Sequence, residues 1–197
     1  MGTAALEEST RPKVASGIRA FFGLPVPDPL RNRLEPYLAA CAATAPEFRW
    51  TPAANLHLTV RFIGNVEHSV VDGIAGRLDE LGLPGFDLKL GELGTFKRGR
   101  LVRVVWLQLR AGAEQARELA AQVEAECVSA GLEPEARPFQ PHLTLARARP
   151  RDGSTLPALP SIPTELAPSR VEELVLYRSH LGRAGAVYEP LRRIRLG

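Results

Sequence analysis

The chain alternates between two hydrophobic periods, and the alternation runs through it twice. Ile18 to Leu24 is a short apolar, aromatic run closed by Pro25, which predicts a strand. Asp28 then offers an N-cap, with Pro29 at the first helical position. Leu30, Leu34, Leu38 and Cys41 follow on one helical face, and Pro36 within them predicts a kink or a break. His57 to Ile63 alternates with period two, as a half-buried strand does. Ser69 and Asp72 resemble a capping box, and Val70, Ile74, Leu78 and Leu81 mark a second helix. Phe86 to Leu93 alternates again, and the glycines between Gly91 and Gly99 predict a loop.

From there the pattern restarts. Val102 to Leu109 predicts a strand. Ala116, Leu119, Val123 and Cys127 line a helix that stops at Gly131. His142 to Ala146 reads as a strand after Pro141. Pro150 to Pro168 is rich in Pro, Ser and Thr and reads as a loop. Val171 to Tyr177 and Val187 to Ile194 predict two closing strands around a turn at Gly182 to Gly185. Ile18 and Val102 are 84 residues apart, Cys41 and Cys127 are 86 apart, and His57 and His142 are 85 apart. Three offsets this close predict a duplication, with two related strand–helix–strand lobes. The expected fold is therefore α+β, with two pseudo-symmetric lobes, antiparallel sheets lining a central cleft and helices on the outer faces. Residues 17–197 are expected to form one bilobal domain, after a disordered tail over residues 1–16.

Composition narrows the class. A hydrophobic share of 45% over 197 residues suffices for a sizeable core. No stretch reaches the roughly 20 apolar residues of a membrane helix, so no membrane partner is expected. Two cysteines and no apolar leader block point to free thiols and a reducing cytoplasm. Net charge is only +3, a mild lean toward anionic partners; 22 Arg against 3 Lys would suit phosphate but is read first as the mark of a GC-rich genome. There is no His-Glu-x-x-His, Cys-x-x-Cys or clustered carboxylate pattern, so neither metal nor cofactor is expected. His68 and His180 read as surface residues.

The duplicated frame carries its chemistry in two matching tetrapeptides, His57-Leu58-Thr59-Val60 and His142-Leu143-Thr144-Leu145. Residues i and i+2 of a strand share a face. His57 therefore projects with Thr59, and His142 with Thr144, while the leucines face the core. Two lobes set side by side would bring both pairs to one cleft. There one imidazole can take a proton while the other gives one, and the hydroxyls can hold non-bridging phosphate oxygens. By the same alternation Arg61 shares the face of His57 and Thr59.

These motifs resemble those of the two-histidine (2H) phosphoesterases, and within them the RNA 2′,3′-cyclic phosphodiesterase branch, historically called 2′-5′ RNA ligase. The likeness extends over Ile18 to Leu196. It includes Phe21-Phe22-Gly23-Leu24-Pro25, the run from His57 to Gly64, Gly94-Thr95-Phe96 and Pro141 to Arg147. The resemblance implies a two-lobed fold without metal, an Arg147 contact to phosphate, and loss of the 3′ oxygen to leave a 2′-phosphate. His57 and His142 are the expected catalytic pair, with His57 read as proton donor and His142 as proton acceptor, although the pseudo-symmetry leaves those two roles exchangeable. Thr59, Thr144, Arg147, Arg61 and Phe139 are the expected substrate contacts. Phe22, Phe139 and Trp50 are candidates to stack a terminal base, each also readable as core. The expected substrates are RNA 3′ ends or small cyclic-phosphate nucleotides, met by a monomer. A 2′-5′ phosphodiesterase or ligase acting on internal linkages, and a non-catalytic RNA-end binding module, are the rival readings.

Overall fold

In the computed structural model, residues 17–163, 166–182 and 185–197 are described. The expected tail lies outside the described residues. The chain runs β1 (Ile18–Pro25), α1 (Asp28–Thr44), β2 (Phe48–Trp50), a 3-10 turn (Ala53–Asn55), β3 (His57–Val66), α2 (His68–Glu80), β4 (Phe86–Arg98), β5 (Leu101–Ala111), α3 (Ala113–Ser129), β6 (His142–Ala148), β7 (Ser169–Val171), β8 (Glu173–Gly182) and β9 (Gly185–Arg195).

Two antiparallel sheets result, ordered β3-β1-β8-β9 and β2-β6-β5-β4-β7. Their orders match strand for strand when β3, β1, β8 and β9 are laid on β6, β5, β4 and β7. Each lobe thus borrows: β4, early in the chain, completes the second sheet, and β8, late in the chain, completes the first. The expected closing strand at Val171 to Tyr177 is divided for this reason. Ser169–Val171 pairs with Phe86–Leu88, whereas Val175–Arg178 pairs with Ala20–Gly23 in the other sheet.

The helices follow their apolar faces. α1 buries Leu30, Leu34, Leu38 and Cys41, and α3 buries Ala116, Leu119, Val123 and Cys127. Both cysteines are fully buried and unpaired. Pro36 neither kinks α1 into two elements nor ends it. It falls in the helix's third turn, between Leu34 and Tyr37, whose burial holds the segment in place despite the lost backbone bond. α2 starts one residue before Ser69 and has no side-chain cap. The segment from Gly91 is not a loop. It continues as β4 to Arg98, because Leu93 to Arg98 pair one after another with β5 from Leu107 to Leu101. No helix among the described residues is long and apolar enough to cross a membrane.

One feature of register decides where the site residues point. β1 and β3 pair regularly from Pro25↔His57 to Gly23↔Thr59, but the next pair is Phe22↔Arg61, so Val60 is an extra residue. β5 and β6 pair from Gln108↔His142 to Trp106↔Thr144, and the next pair is Val105↔Ala146, so Leu145 is extra. Both motif strands therefore carry a β-bulge directly after the threonine. A bulge breaks the period-two alternation and re-aims everything beyond it.

Candidate active site

His57 opens β3 and His142 opens β6, and the two strands come within 8 Å of one another between Cα atoms. The local build is the same in both lobes. The 3-10 turn ahead of β3 presents the Asn55 carbonyl, which lies 2.8 Å from His57 Nδ1. Ahead of β6, the Gln140 carbonyl lies 2.7 Å from His142 Nδ1. A carbonyl can only accept, so each Nδ1 carries its hydrogen and donates it. The neutral rings then hold their lone pair on Nε2, the atom left for chemistry. Thr59 Oγ1 sits 3.1 Å from His57 Nε2 and can donate its hydroxyl there. The Asn55 side chain in turn donates to Ala186 O at 2.9 Å, tying the His57 turn to β9.

The surroundings favour neutral rings. Burial pushes the His57 pKa down, the Asn55 hydrogen bond raises it, and the charges of Arg147 and His142 lower it further. His142 is lowered by burial and by Arg147 against the Gln140 bond. The charge of one guanidinium, Arg147, thus lowers both imidazoles.

Aromatic rings wall each histidine. Phe21 and Tyr188 have centroids 4.9 Å from the His57 ring and Tyr177 lies at 6.1 Å. Around His142, Phe96 stands edge-on at 5.2 Å and Trp106 at 5.8 Å. Room for these rings comes from glycines on neighbouring positions. A Cβ on Gly23 would lie 3.3 Å from His57 Cδ2, and one on Gly94 would lie 2.2 to 2.5 Å from three ring atoms of Trp106.

The sequence-derived candidates divide accordingly. His57, Thr59, His142 and Thr144 come before the bulges and share the cleft. Arg147 stands five residues beyond His142, an odd spacing that alternation would send to the opposite face. The Leu145 bulge returns it to the cleft, where it is exposed and paired with Val104, the position that also faces Phe96. Arg61 is turned the other way. It pairs with the core residue Phe22 and reaches α3 of the other lobe. Its Nε lies 2.5 Å from Glu124 Oε2, its Nη1 lies 3.1 Å from Glu135 Oε2, and its Nη2 donates to Glu133 O at 2.6 Å. This residue, expected to contact substrate, is instead a clasp between lobes. Phe22 is fully buried. Trp50 donates its indole N–H to Ala45 O, and Phe139 and Trp50 are half-buried against the core. None of these three is among the rings around the histidines. The five that are escaped sequence reading, although Phe21 and Phe96 stood in the segments that carried the resemblance. The signal that would have found Phe21, the alternation on β1 placing it opposite Phe22, was present. His68 is exposed, and His180 lies on β8, its Nε2 2.8 Å from Glu189 Oε2. Among the described residues no three His, Cys, Asp or Glu side chains converge on a point.

The family model of the 2′-5′ RNA ligase superfamily matches residues 26–183. The chain belongs to the 2′-5′ RNA ligase superfamily. Within the superfamily it is 33% identical to the RNA 2′,3′-cyclic phosphodiesterase of Aeropyrum pernix, over 83% of this chain and 95% of that protein. It is equally 33% identical to the Escherichia coli RNA 2′,3′-cyclic phosphodiesterase, over 89% of this chain and 94% of that one. The crystal structure of E. coli LigT complexed with 3′-AMP superposes with a TM-score of 0.76 at 29% identity, covering 91% of this chain and 98% of LigT. The α+β fold with two antiparallel sheets is therefore the superfamily fold.

Proposed function

We propose that this protein hydrolyses 2′,3′-cyclic phosphate at RNA ends, without a metal, to leave a 2′-phosphate. The observation that carries the reading is the matched pair of imidazoles. Each donates Nδ1–H to a carbonyl two residues before it, each keeps Nε2 for the cleft, and both feel the same Arg147. Relatives matched over more than nine-tenths of their own length, at 33% identity, are RNA 2′,3′-cyclic phosphodiesterases.

In this reading Arg147 holds the cyclic phosphate between the lobes, and the Thr59 and Thr144 hydroxyls donate to its non-bridging oxygens as charge grows on them. His142, the less buried of the two rings, takes a proton from water through Nε2. The hydroxide oxygen bonds to phosphorus opposite the ribose 3′ oxygen, and the P–O3′ bond breaks. His57, protonated when the substrate binds, gives its Nε2 proton to that oxygen, and the proton gained by His142 passes back through solvent before the next turnover. Phe21, Tyr177 and Tyr188 wall the His57 ring, and the lowered pKa that goes with this burial makes the protonated ring a ready donor. Both histidines come from one chain, so a single copy holds a complete site, consistent with action as a monomer. Two buried, unpaired thiols suit the reducing cytoplasm.

The test is to digest an oligonucleotide ending in a 2′,3′-cyclic phosphate and then add a phosphatase unable to attack 2′-phosphates. A resistant 2′-phosphate end is expected. A sensitive end would mean that the ring opens the other way, and an unopened ring would end the reading.

A further inference from the structure

The two bulges make the lobes comparable residue by residue beyond the catalytic motifs. Five residues past each histidine the chain returns to the cleft face. In the second lobe that residue is Arg147. In the first it is Phe62, which pairs with the cleft residue Phe21 and is 41% exposed, unusually open for a ring of its size. The cation missing at position 62 is supplied from the neighbouring strand. Arg19 lies two residues before Phe21 on β1, so on the same face and about 7 Å along. Its guanidinium carbon stands 4.5 Å over the centre of the Phe62 ring. Arg19 enters no ion pair among the described residues, and its Nε is buried without a hydrogen-bond partner. Tyr188, which touches His57, feels the charges of both Arg147 and Arg19. A strip of cleft surface therefore runs from the histidines to a cation that has no ion pair among the described residues and is stacked on an exposed ring.

We propose that Arg19 and Phe62 form a second subsite, which takes the phosphodiester and the base of the nucleotide preceding the cyclic end. The subsite rests on the functional reading above and specifies it: the preferred substrate is an oligoribonucleotide, not a mononucleotide. A planar guanidinium suits a phosphodiester oxygen pair, and an open aromatic face accepts any base without reading its identity. Phe62 is level with Phe21, the ring that packs on His57, and Arg19 lies two strand residues beyond it, so the subsite sits outward of the reacting phosphate along β1.

The experiment compares kcat/KM for a cyclic-phosphate dinucleotide with that for the corresponding cyclic mononucleotide. In the unaltered protein the ratio should exceed about ten. Arg19→Met and Phe62→Ala should each lower it by at least about fivefold. In parallel, a labelled 3′-phosphorylated dinucleotide and mononucleotide are titrated at several salt concentrations. For the dinucleotide, Arg19→Met should reduce the slope of log affinity against log salt by about 0.7, the value for one single-strand phosphate contact. Arg19→Lys should keep that slope, and so should Phe62→Ala. Thermal unfolding of each variant separates loss of the subsite from loss of fold. A ratio near one in the unaltered protein, or a ratio and slope unchanged by folded Arg19→Met, overturns the subsite. Hydrolysis of neither substrate would instead refute the functional reading, and the titration would still decide the subsite: equal affinity for the two ligands would end it.

Discussion

Gly94→Ala provides the sharpest test of how the second histidine is held. The added Cβ would stand 2.2 Å from Trp106 Cζ2, 2.4 Å from Cη2 and 2.5 Å from Cε2, well inside any real carbon–carbon contact. Gly94 and Trp106 are cross-strand partners in the β4–β5 ladder, so the backbone cannot part without breaking that pairing. Relief has to come from rotation of the indole. That ring lies 5.2 Å from Phe96 and 5.8 Å from His142, so its movement displaces the wall of the catalytic ring. Overpacking of this kind costs about 1–3 kcal/mol. For a chain of this size that lowers Tm by roughly 2–4 °C per kcal/mol. A displacement of His142 Nε2 by about 1 Å would lower kcat by up to about 10²-fold. The assay is a double-mutant cycle read by thermal unfolding and by turnover of a cyclic nucleotide. Trp106→Val destabilises by itself, but it removes the obstructing ring. Adding Gly94→Ala to Trp106→Val should then cost almost nothing, giving an interaction of about 1–3 kcal/mol. If Gly94→Ala costs the same in both backgrounds, the clash is not with Trp106 and the reasoning fails.

Other consequences follow from the same geometry. His57→Ala and His142→Ala should each reduce turnover by at least about 10²-fold while Tm stays near its original value; near-normal turnover in either would remove that ring from the acid–base pair. Both histidines are held below their ordinary value of 6.5, so kcat/KM should trace a bell whose maximum lies on the acid side of 6.5, with limbs that belong to the pair. Arg147→Gln should move that maximum upward, because Arg147 lowers both rings, and should raise KM about 10- to 100-fold by removing a charge-assisted bond. For stability the sign is fixed by the same shifts: the unfolded chain binds these protons more readily, so stability is complete above about 6.5 and falls as pH drops below it, an effect that His57→Gln should weaken in acid unfolding curves. Arg61→Met should destabilise by about 2–3 kcal/mol, less than a fully buried pair because Glu124 keeps partial access to water; an unchanged Tm would refute the interlobe clasp. Activity should survive excess chelator, since the described residues gather no metal donor set; loss restored by added divalent ion would contradict this.

Local chemistry determined much of this protein before any tertiary contact is considered. Period-two and period-3.6 patterns marked the strands and helices that carry the site, and Leu58 and Leu143 pointed inward as alternation requires, so His57, Thr59, His142 and Thr144 had to share the other face. The repeat at about 85 residues implied two lobes, and the sheet orders answer to it strand for strand. What lay outside the sequence's reach was everything that depends on long-range pairing. Strand segments cannot announce which sheet they will join, so the exchange of β4 and β8 between lobes, and the division of the expected strand at Val171, were decided by the ladders alone. The bulges at Val60 and Leu145 exist only as mismatches between two strands, and no single strand encodes them. Yet they decide that Arg61 leaves the cleft and Arg147 enters it. The rings around the histidines are a product of the same pairing. Phe21, Tyr177 and Tyr188 are far apart in the chain and adjacent only because β1, β8 and β9 lie next to one another. A pattern along one strand fixes which face a side chain takes; the register against its neighbour fixes how long that pattern holds.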